Sequence, residues 1–335
     1  MTDPAAAGVV VGVDLGGTKI AAATVTASGG LGPLRSVPTP GQDGPDAVLD
    51  AVAGLVRAVV DAAGAPLRGV GVGTAGVVDV SRGVIVSATD TLPGWPGTDV
   101  AAEVRRRLVD VVAGPGPLAV FVENDVDAHA AGEAWLGAAA GADSALLVAV
   151  GTGVGGAVVL DGRPVRGAHH LAGEMGHVPV PGAEGLPCTC GRPGHLEAIG
   201  AGPAIHRRYL ALGGDPAVRD TREVVALARA GEELAGSVVR AAATAVGRAT
   251  AGVVTVLDPE VVVVGGGVAN AGEVWWSAFE SALRAEVVDV LADLSVRPAA
   301  LGAAAAVLGA ARGVHQLCSA PGGKPAPTTP GRTVE

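Results

Sequence analysis

The chain has 335 residues, and 33 acidic against 23 basic side chains give it a formal net charge of −10 at pH 7. This length suits one large domain or two lobes, and a hydrophobic content of 49% supplies enough apolar surface to argue against disorder of the body. The acidic balance argues against nucleic acid as the main partner, and an aromatic content of 2% disfavours base stacking. The net charge does not exclude the binding of small phosphorylated ligands, because such ligands need only local hydrogen-bond donors.

The first residues show no pattern typical of a targeting signal, since no basic segment precedes the first apolar run. The longest stretch without charge, 144–160, is interrupted by glycines and is slightly short for a membrane helix. Three cysteines are too few for a disulfide scaffold and suggest a reducing compartment. We therefore expect a cytoplasmic protein without membrane contact. We also expect a flexible N-terminus over 1–8 and a disordered Pro-, Gly- and Thr-rich tail over 319–335.

In chain order, the first elements are two apolar runs, 9–13 and 20–25, separated by the turn Asp14-Leu15-Gly16-Gly17-Thr18-Lys19. This pattern predicts a strand, a tight glycine turn and a second strand. The same unit recurs at 146–160 around Gly151-Thr152-Gly153. Two such hairpins in corresponding places predict a duplicated, two-lobed architecture.

Helices and strands alternate through the rest of the chain, which predicts an α/β fold. Asn124 or Asp125 is suited to cap the helix that begins there. The segment 169–202 differs, because it holds His, Cys, Pro and Gly with little periodicity and therefore predicts a loop-built insert. The predicted helices are 47–63, 100–112, 125–140, 232–257, 273–287 and 301–311, and further strands are expected at 70–72, 118–122 and 260–264.

Two glycine loops, 71–76 and 151–156, match the pattern G-x-G-x-x-G. A dinucleotide site requires such a loop to open a helix, whereas β-branched residues follow both loops here, so we reject that interpretation. A glycine hairpin also binds phosphate through its backbone N–H groups, although a plain tight turn is the simpler interpretation of any single loop. At the first hairpin, Asp14 adds a carboxylate suited to hydrated Mg²⁺, and Lys19 is either a phosphate contact or an exposed strand residue.

Four potential metal ligands lie close together in the loop-built insert. Four nitrogen and sulfur ligands suit tetrahedral Zn²⁺, and a site that uses all four leaves no position for a reactive water, so its role would be structural. Free thiols and unrelated histidines are the alternative interpretation. The ligand candidates are His177, Cys188, Cys190 and His195, with His169 and His170 as lower-ranked candidates.

Taken together and in this order, four segments resemble the ROK family of repressors, open reading frames and sugar kinases: 14–19, 123–125, 173–177 and the C-x-C segment that ends at Glu197. The resemblance runs from about 9 to about 313. It implies a duplicated actin-like (ribonuclease H-like) ATPase fold, with a cleft between two lobes and a zinc-binding loop insert. The implied division is an N-terminal lobe 9–122 joined by a helix 300–313, and a C-terminal lobe 123–299 that contains the zinc loop 169–202.

The resemblance implies a role for each matching residue. Asp125 would be the general base that takes the proton from the attacking sugar hydroxyl, and Asp14 would help to place Mg²⁺. The implied sugar contacts are Asn124, Glu174, His177 and Glu197, with Gly76 in the same substrate-binding set. The implied ATP contacts are Gly16, Gly17, Thr18, Lys19, Gly151, Thr152 and Gly153 at the phosphates, with Gly265, Gly266 and Gly267 near the nucleoside.

His177 would serve zinc with one ring nitrogen and the sugar with the other. At 195 the chain has a histidine where the family usually presents a third cysteine. Because histidine can replace thiolate on zinc, we expect a Cys₂His₂ site, with loss of zinc as the competing possibility.

The activity implied is that of an ATP-dependent hexose kinase, which transfers the γ-phosphate to the sugar 6-hydroxyl. Glucokinase is favoured because the set of sugar-binding residues is complete. Kinases of N-acetylmannosamine, N-acetylglucosamine and fructose share most of this set and are the alternatives. Polyphosphate is an alternative phosphate donor. Two alternatives belong to other classes: a non-catalytic sugar-sensing regulator without its own DNA-binding domain, and an actin-like ATPase or filament protein. A homodimer or higher homo-oligomer is expected, since dimers are common in the family.

Overall fold

The computed structural model describes residues 8–89, 92–114 and 116–319. These form two compact units, each described by itself below. The first unit takes the chain up to Gly141, the segment 162–172 and the chain from Ala303 onward, and the second takes 142–161 and 173–302. The predicted flexible N-terminus and disordered tail lie outside the described residues, except for Gly8 and for Ser319, which ends the last helix.

The secondary structure follows the alternation expected of an α/β chain. The strands are β1 (Val9–Leu15), β2 (Lys19–Thr24), β3 (Arg35–Pro38), β4 (Leu67–Thr74), β5 (Val77–Asp79), β6 (Val84–Ser87), β7 (Ala119–Asn124), β8 (Ser144–Val150), β9 (Val154–Leu160), β10 (Arg163–Pro164), β11 (Val261–Gly265) and β12 (Ser295–Pro298). The helices are α1 (Pro45–Ala63), α2 (Val100–Arg107), α3 (Asp125–Leu136), α4 (Glu197–Gly200), α5 (Gly202–Ala211), α6 (Thr221–Arg229), α7 (Glu233–Leu257), α8 (Glu273–Glu286) and α9 (Ala305–Ser319).

The first unit is built on a mixed sheet in the order β3-β2-β1-β4-β7. The hairpin β1–β2 is antiparallel, whereas β1, β4 and β7 run parallel. Helix α1 packs against β1 and β2, and α9 packs against β1, β4 and β7. Because β1 and β4 are covered by helices, they read as nearly continuous apolar runs.

Helix α9 approaches the sheet closely at Gly71 of β4. A Cβ atom placed at Gly71 would lie 2.0 Å from the carbonyl oxygen of Ala310, so a side chain here would push the helix away from the sheet. Helix α3 also packs on α9, which places α3 in the first unit. The unit boundary therefore follows Gly141, whereas the sequence-based division placed it between 122 and 123.

In the second unit, strands follow the order β9-β8-β11-β12 in one sheet, with an antiparallel hairpin β8–β9 and parallel pairings of β11 with β8 and β12. This hairpin-plus-parallel pattern matches that of the first unit, as the repeated glycine hairpin predicts. Helix α7 packs against α8 and against α4, α5 and α6. No helix in the described ranges combines the length and apolar character that a membrane crossing requires.

The predicted strands and most predicted helices are confirmed, with differences at their ends. The α-helix predicted over 100–112 ends at Arg107 and gives way to a 3₁₀ turn, and the helix predicted over 125–140 ends at Leu136, before Gly137. The helix predicted over 301–311 lies at 305–319 instead, and α5 and α6 were not predicted. The segment 169–202 is mostly irregular, as expected, apart from a 3₁₀ turn and the short helix α4.

Candidate active site

In the first unit, the parallel strands β1, β4 and β7 end at one edge of the sheet. The register pairs Leu15 of β1 with Thr74 of β4, and Thr74 with Asn124 of β7. The first glycine hairpin, the loop at Gly76 and the Asn124–Asp125 turn therefore leave the sheet at the same edge. Such an edge is where open α/β sheets bind ligands.

Asn124 caps helix α3 and ties it to the neighbouring loop. Its Oδ1 accepts hydrogen bonds from the N–H groups of Val126 and Asp127, at 2.8 and 3.2 Å. Its Nδ2 donates to the carbonyl oxygen of Gly76 at 2.9 Å, so two members of the predicted substrate-binding set are in direct contact. Because both ends of the amide are used within the protein, Asn124 fixes the turn that carries Asp125.

Asp125 is the first residue of α3, and part of its surface remains accessible. Its Oδ1 accepts a hydrogen bond from the N–H of Val126 at 3.0 Å. Burial raises the pKa of Asp125 above its ordinary value, that hydrogen bond lowers it, and the charge of Asp127 raises it further. A partly accessible carboxylate with a raised pKa is suited to accept a proton.

Asp14 lies near the end of β1, at the same edge. Burial raises its pKa to about 6, the negative charge of Asp125 adds to this increase, and the charge of Lys19 opposes it. A carboxylate whose pKa is raised by burial and by a neighbouring carboxylate favours a cation beside it. Lys19 is exposed at the start of β2, which is compatible with both of its predicted interpretations, a phosphate contact and an exposed strand residue.

The first hairpin is held by hydrogen bonds that the sequence did not reveal. The N–H of Gly16 donates to the carbonyl oxygen of Lys19 at 3.1 Å, and the hydroxyl of Thr39 donates to the carbonyl oxygen of Gly16 at 2.7 Å. The N–H of Thr39 also donates to the carbonyl oxygen of Thr18 at 3.1 Å. Thr39 thus supports the turn from a neighbouring loop, and no local pattern predicts such a long-range contact.

Next to Asp125 lies a buried ion cluster that sequence reasoning missed. Arg166 binds the carboxylates of Glu123 and Asp127, which stand on either side of the Asn124–Asp125 turn. Glu123 belongs to the E-N-D segment that resembles the ROK family, but nothing in the sequence predicted a partner for it. Arg166 lies in a Gly- and Pro-containing segment without periodicity, so only the tertiary structure identifies it.

In the second unit, the second glycine hairpin and the triple glycine meet at one sheet edge. Gly265 ends β11 opposite Ala149 of β8, and the N–H of Val268 donates to the carbonyl oxygen of Val150 at 2.9 Å. Within the hairpin, the N–H of Gly151 donates to the carbonyl oxygen of Gly153 at 2.8 Å. The structure thus brings together the residues predicted to contact the ATP phosphates and the nucleoside in this unit.

Glu197 connects the loop-built insert to this hairpin. Its Oε2 accepts a hydrogen bond from the N–H of Val154 at 3.0 Å, and its Oε1 accepts one from the hydroxyl of Thr189. A Cβ atom at Gly153 would lie 2.5 Å from Oε2, so only glycine lets this carboxylate reach the strand. The structure therefore places Glu197 against the phosphate-type hairpin, and Thr189 is a further residue that the sequence did not single out.

The four predicted metal ligands converge in the second unit. Their ligand atoms all lie within 4.8 Å of one another, with Cys188 Sγ 3.5 Å from His177 Nδ1 and Cys190 Sγ 3.2 Å from His195 Nδ1. Ligands of one tetrahedral zinc ion would stand about 3.3 to 3.8 Å apart, so the chemistry and the spacing of this donor set both fit zinc. Burial raises the pKa of the Cys188 thiol, which makes its thiolate costly unless a cation compensates it.

The remaining predicted residues lie elsewhere. His170 is in the first unit, with Nε2 4.0 Å from Asp79 Oδ1, and the metal-ligand cluster includes neither His169 nor His170. Glu174 lines a largely apolar cavity of about 660 Å³ in the second unit, together with Met175 and residues of α7. Its carbonyl oxygen accepts a hydrogen bond from the N–H of His177 at 3.1 Å.

Comparisons with known proteins identify the family of the chain. The profile of the ROK family matches residues 10–316. The chain is 34% identical over 320 residues to a glucokinase from Halalkalibacterium halodurans, covering 89% of this chain and 92% of the relative.

Two solved structures extend the comparison. A ROK hexokinase from Thermus thermophilus has a TM-score of 0.77 at 39% identity, with 91% of this chain and 97% of that chain covered. A ROK family glucokinase from Streptomyces griseus, in complex with glucose and AMPPNP, has a TM-score of 0.76 at 30% identity, with 91% and 98% covered. The resemblance inferred from the sequence is confirmed, and the chain belongs to the ROK family.

Proposed function

We propose that this protein is an ATP-dependent hexose kinase with glucose as its favoured acceptor. The observation that carries the proposal is the Asn124–Asp125 turn, which presents the partly exposed Asp125, whose pKa is raised, at the sheet edge of the first glycine hairpin. The glucokinase from Streptomyces griseus was solved with glucose and AMPPNP, which supports a sugar acceptor and an ATP donor. The identity to curated glucokinases supports the same activity.

The chemistry follows from these groups. The carboxylate of Asp125 accepts the proton of the sugar 6-hydroxyl while that oxygen forms a bond to the γ-phosphorus, and the bond from this phosphorus to the bridging oxygen of ADP breaks. Asn124 holds the turn through its three backbone hydrogen bonds, so the base needs little reorganisation. The other sugar contacts proposed are Glu174, His177 and Glu197, as the family resemblance implies.

The nucleotide would be held chiefly by backbone. The hairpins at Gly16-Gly17-Thr18 and Gly151-Thr152-Gly153 offer N–H groups and hydroxyls to phosphate oxygens, and Gly265-Gly266-Gly267 leaves room for the nucleoside. Asp14 would hold Mg²⁺ through its hydration shell, and the ion would neutralise phosphate charge. A carboxylate whose pKa rises to about 6 without a cation fits this role.

We also propose that His177, Cys188, Cys190 and His195 hold a structural zinc ion, with His195 in the place of the third cysteine usual in the family. Zinc would fix the insert in which Thr189 and Glu197 lie. Nδ1 of His177 faces Cys188, which assigns that nitrogen to the metal and leaves Nε2 for the sugar.

The test is ADP release, measured in a coupled assay, with glucose, N-acetylglucosamine, N-acetylmannosamine and fructose as acceptors. We expect glucose to give the highest kcat/KM. The variant Asp125→Asn keeps a side chain that can accept the Val126 hydrogen bond, so it should fold, while its kcat should fall by about 10²- to 10⁴-fold because the base is lost.

A matched control is Asp99→Asn. Asp99 caps helix α2 of the first unit, where it accepts a hydrogen bond from the N–H of Ala102 at 2.9 Å, and it has no role in the proposed site. This control should retain full turnover. Near-normal turnover of Asp125→Asn would refute the base assignment, and sugar-independent ATP hydrolysis without a phosphosugar would refute the kinase.

A further inference from the structure

The buried ion cluster of the first unit consists of Arg166, Glu123 and Asp127. One terminal nitrogen of Arg166 donates to Oε2 of Glu123, and the other pairs with Oδ2 of Asp127. The three side chains are 10%, 1% and 11% exposed, respectively. A single guanidinium is therefore shared by two buried carboxylates, each bound by its own nitrogen, an arrangement that the planar fork of arginine favours over the single nitrogen of lysine.

The position of the cluster relates it to the proposed base. Glu123 is the second-last residue of β7 and Asp127 lies in the first turn of α3, so the three residues between them are Asn124, Asp125 and Val126. Arg166 thus connects Glu123, near the end of strand β7, to Asp127 in the first turn of helix α3. Movement of the Asn124–Asp125 turn would require at least one of these ion pairs to lengthen.

Stability alone is a poor reason for such a cluster. Burial raises the pKa of Glu123 to about 7 and also raises the pKa of Asp127, while the charge of Arg166 opposes both increases. Among the described residues, Oε1 of Glu123 is buried without a hydrogen-bond partner. Buried ion pairs of this kind are often matched or exceeded in stability by apolar packing, so a geometric role accounts for the cluster better than stability does.

The chain context of Arg166 points to the same role. The segment 162–172 belongs to the first unit, although the residues before and after it belong to the second. Arg166 anchors this segment to the strand end and to helix α3. A second arginine of the unit, Arg312, donates to the carbonyl oxygen of Ala131 at 3.3 Å, in the second half of α3, and its charge helps to lower the pKa of Glu123, but within the described ranges it forms no ion pair with Glu123 or Asp127.

We propose that Arg166 is a positioning residue for the general base: by holding Glu123 and Asp127 together, it fixes the strand-to-helix turn that presents Asp125. The proposal rests on the proposed function in assigning the base to Asp125. Its geometric part, the fixing of the turn, is independent of that assignment.

The test compares Arg166→Met with the wild type and with the control Arg105→Met. Arg105 is a partly buried arginine of the same unit whose Nε donates to the carbonyl oxygen of Leu118 at 3.1 Å. Hydrogen–deuterium exchange of the peptide 119–130 reports on the turn, and steady-state kinetics with glucose and ATP report on the base. Arg166→Met should exchange faster at the amides of 124–127, and its kcat should fall by about 10- to 100-fold with the base displaced.

Separate effects on kcat and on the KM for ATP distinguish a positioning role of Arg166 from general damage to the fold. The KM for ATP should stay within about twofold of the wild-type value, because the hairpins that would bind phosphate are intact. Arg166→Lys keeps the charge but reaches one carboxylate at a time, so it should fold even where Arg166→Met does not, and its exchange and kcat should lie between those of Arg166→Met and the wild type. Arg105→Met should match the wild type in both readouts.

The outcomes distinguish the two hypotheses. If the wild type phosphorylates glucose and Arg166→Met or Arg166→Lys keeps wild-type kcat and exchange, the positioning role is refuted and the kinase stands. If the wild type phosphorylates no hexose, the proposed function fails, and exchange of 124–127 alone decides whether Arg166 fixes the turn. Unchanged exchange in both variants would then refute the geometric part as well.

Discussion

Asp14→Asn should make the protein more stable and less active at the same time. The pKa of Asp14 rises from 3.8 to about 6 in the folded chain, mainly through burial and then through the charge of Asp125. The folded state therefore binds a proton more tightly than the unfolded state. At about 1.36 kcal/mol per pKa unit, the charged form costs the first unit about 3 kcal/mol above pH 7.

The sign and the pH window follow from the two pKa values. The cost is absent well below pH 3.8, grows as pH rises toward 6, and is complete above it. Replacing the carboxylate by a neutral amide of similar shape removes this cost. We expect a gain of about 3 kcal/mol at pH 8 and roughly half of that at pH 5, so the benefit of the variant should shrink on acidification.

Thermal unfolding in EDTA without nucleotide is the assay, because a bound cation would mask the effect. A gain of about 3 kcal/mol corresponds to a rise in Tm of roughly 6 to 12 °C at pH 8 for a unit of this size. Asp61→Asn, which removes an exposed carboxylate from α1 in the same unit, should leave Tm nearly unchanged. A Tm equal to that of the wild type at pH 8, or a gain that does not depend on pH, would refute the reasoning.

Two further predictions concern the second unit. Gly153→Ala places a Cβ atom 2.5 Å from Oε2 of Glu197, so this carboxylate must shift and the hydrogen bond that it accepts from the N–H of Val154 should weaken. The KM for ATP should rise by up to about tenfold, whereas Gly252→Ala, on α7 with open space, should leave KM unchanged. An unchanged KM in Gly153→Ala would contradict the proposed role of the hairpin. Metal analysis should find about one zinc per chain in the wild type and in His195→Cys, and well under one in Cys190→Ser; a wild type without zinc would contradict the metal site.

Local sequence signals predicted the elements that carry the proposed site. The hairpin around Gly16 and that around Gly151 are each defined by a glycine turn between apolar runs, and both form as expected. Asn124 caps α3 because its short amide accepts from the first N–H groups of the helix, which is a local rule. The metal-ligand cluster was also visible, since His and Cys are rare enough in this chain to stand out.

The long-range contacts of the site could not be predicted from the sequence. Arg166, Thr39 and Thr189 act through partners that are distant in sequence or lie in irregular loops, so no periodicity indicates them. The assignment of α3 to the first unit depends on its packing against α9, which the pattern of either helix alone does not reveal. The sequence pattern predicted an Ala-rich helix at α3, but it did not predict that this helix packs against α9.

Because Arg166 binds two of the carboxylates at this sheet edge, the other two can serve different purposes, one as a cation ligand and one as a proton acceptor. Four acidic residues gather there: Asp14, Glu123, Asp125 and Asp127. Arg166 binds Glu123 and Asp127, whereas Asp14 and Asp125 form no salt bridge within the described part of the chain. Those two remain available for a cation and for a proton, respectively. Since this edge is negative, it does not attract phosphate by itself, which is why backbone N–H groups and Mg²⁺ are the nucleotide contacts we propose there. The glycines of the hairpins and the acidity of the edge are therefore complementary requirements of one phosphoryl transfer.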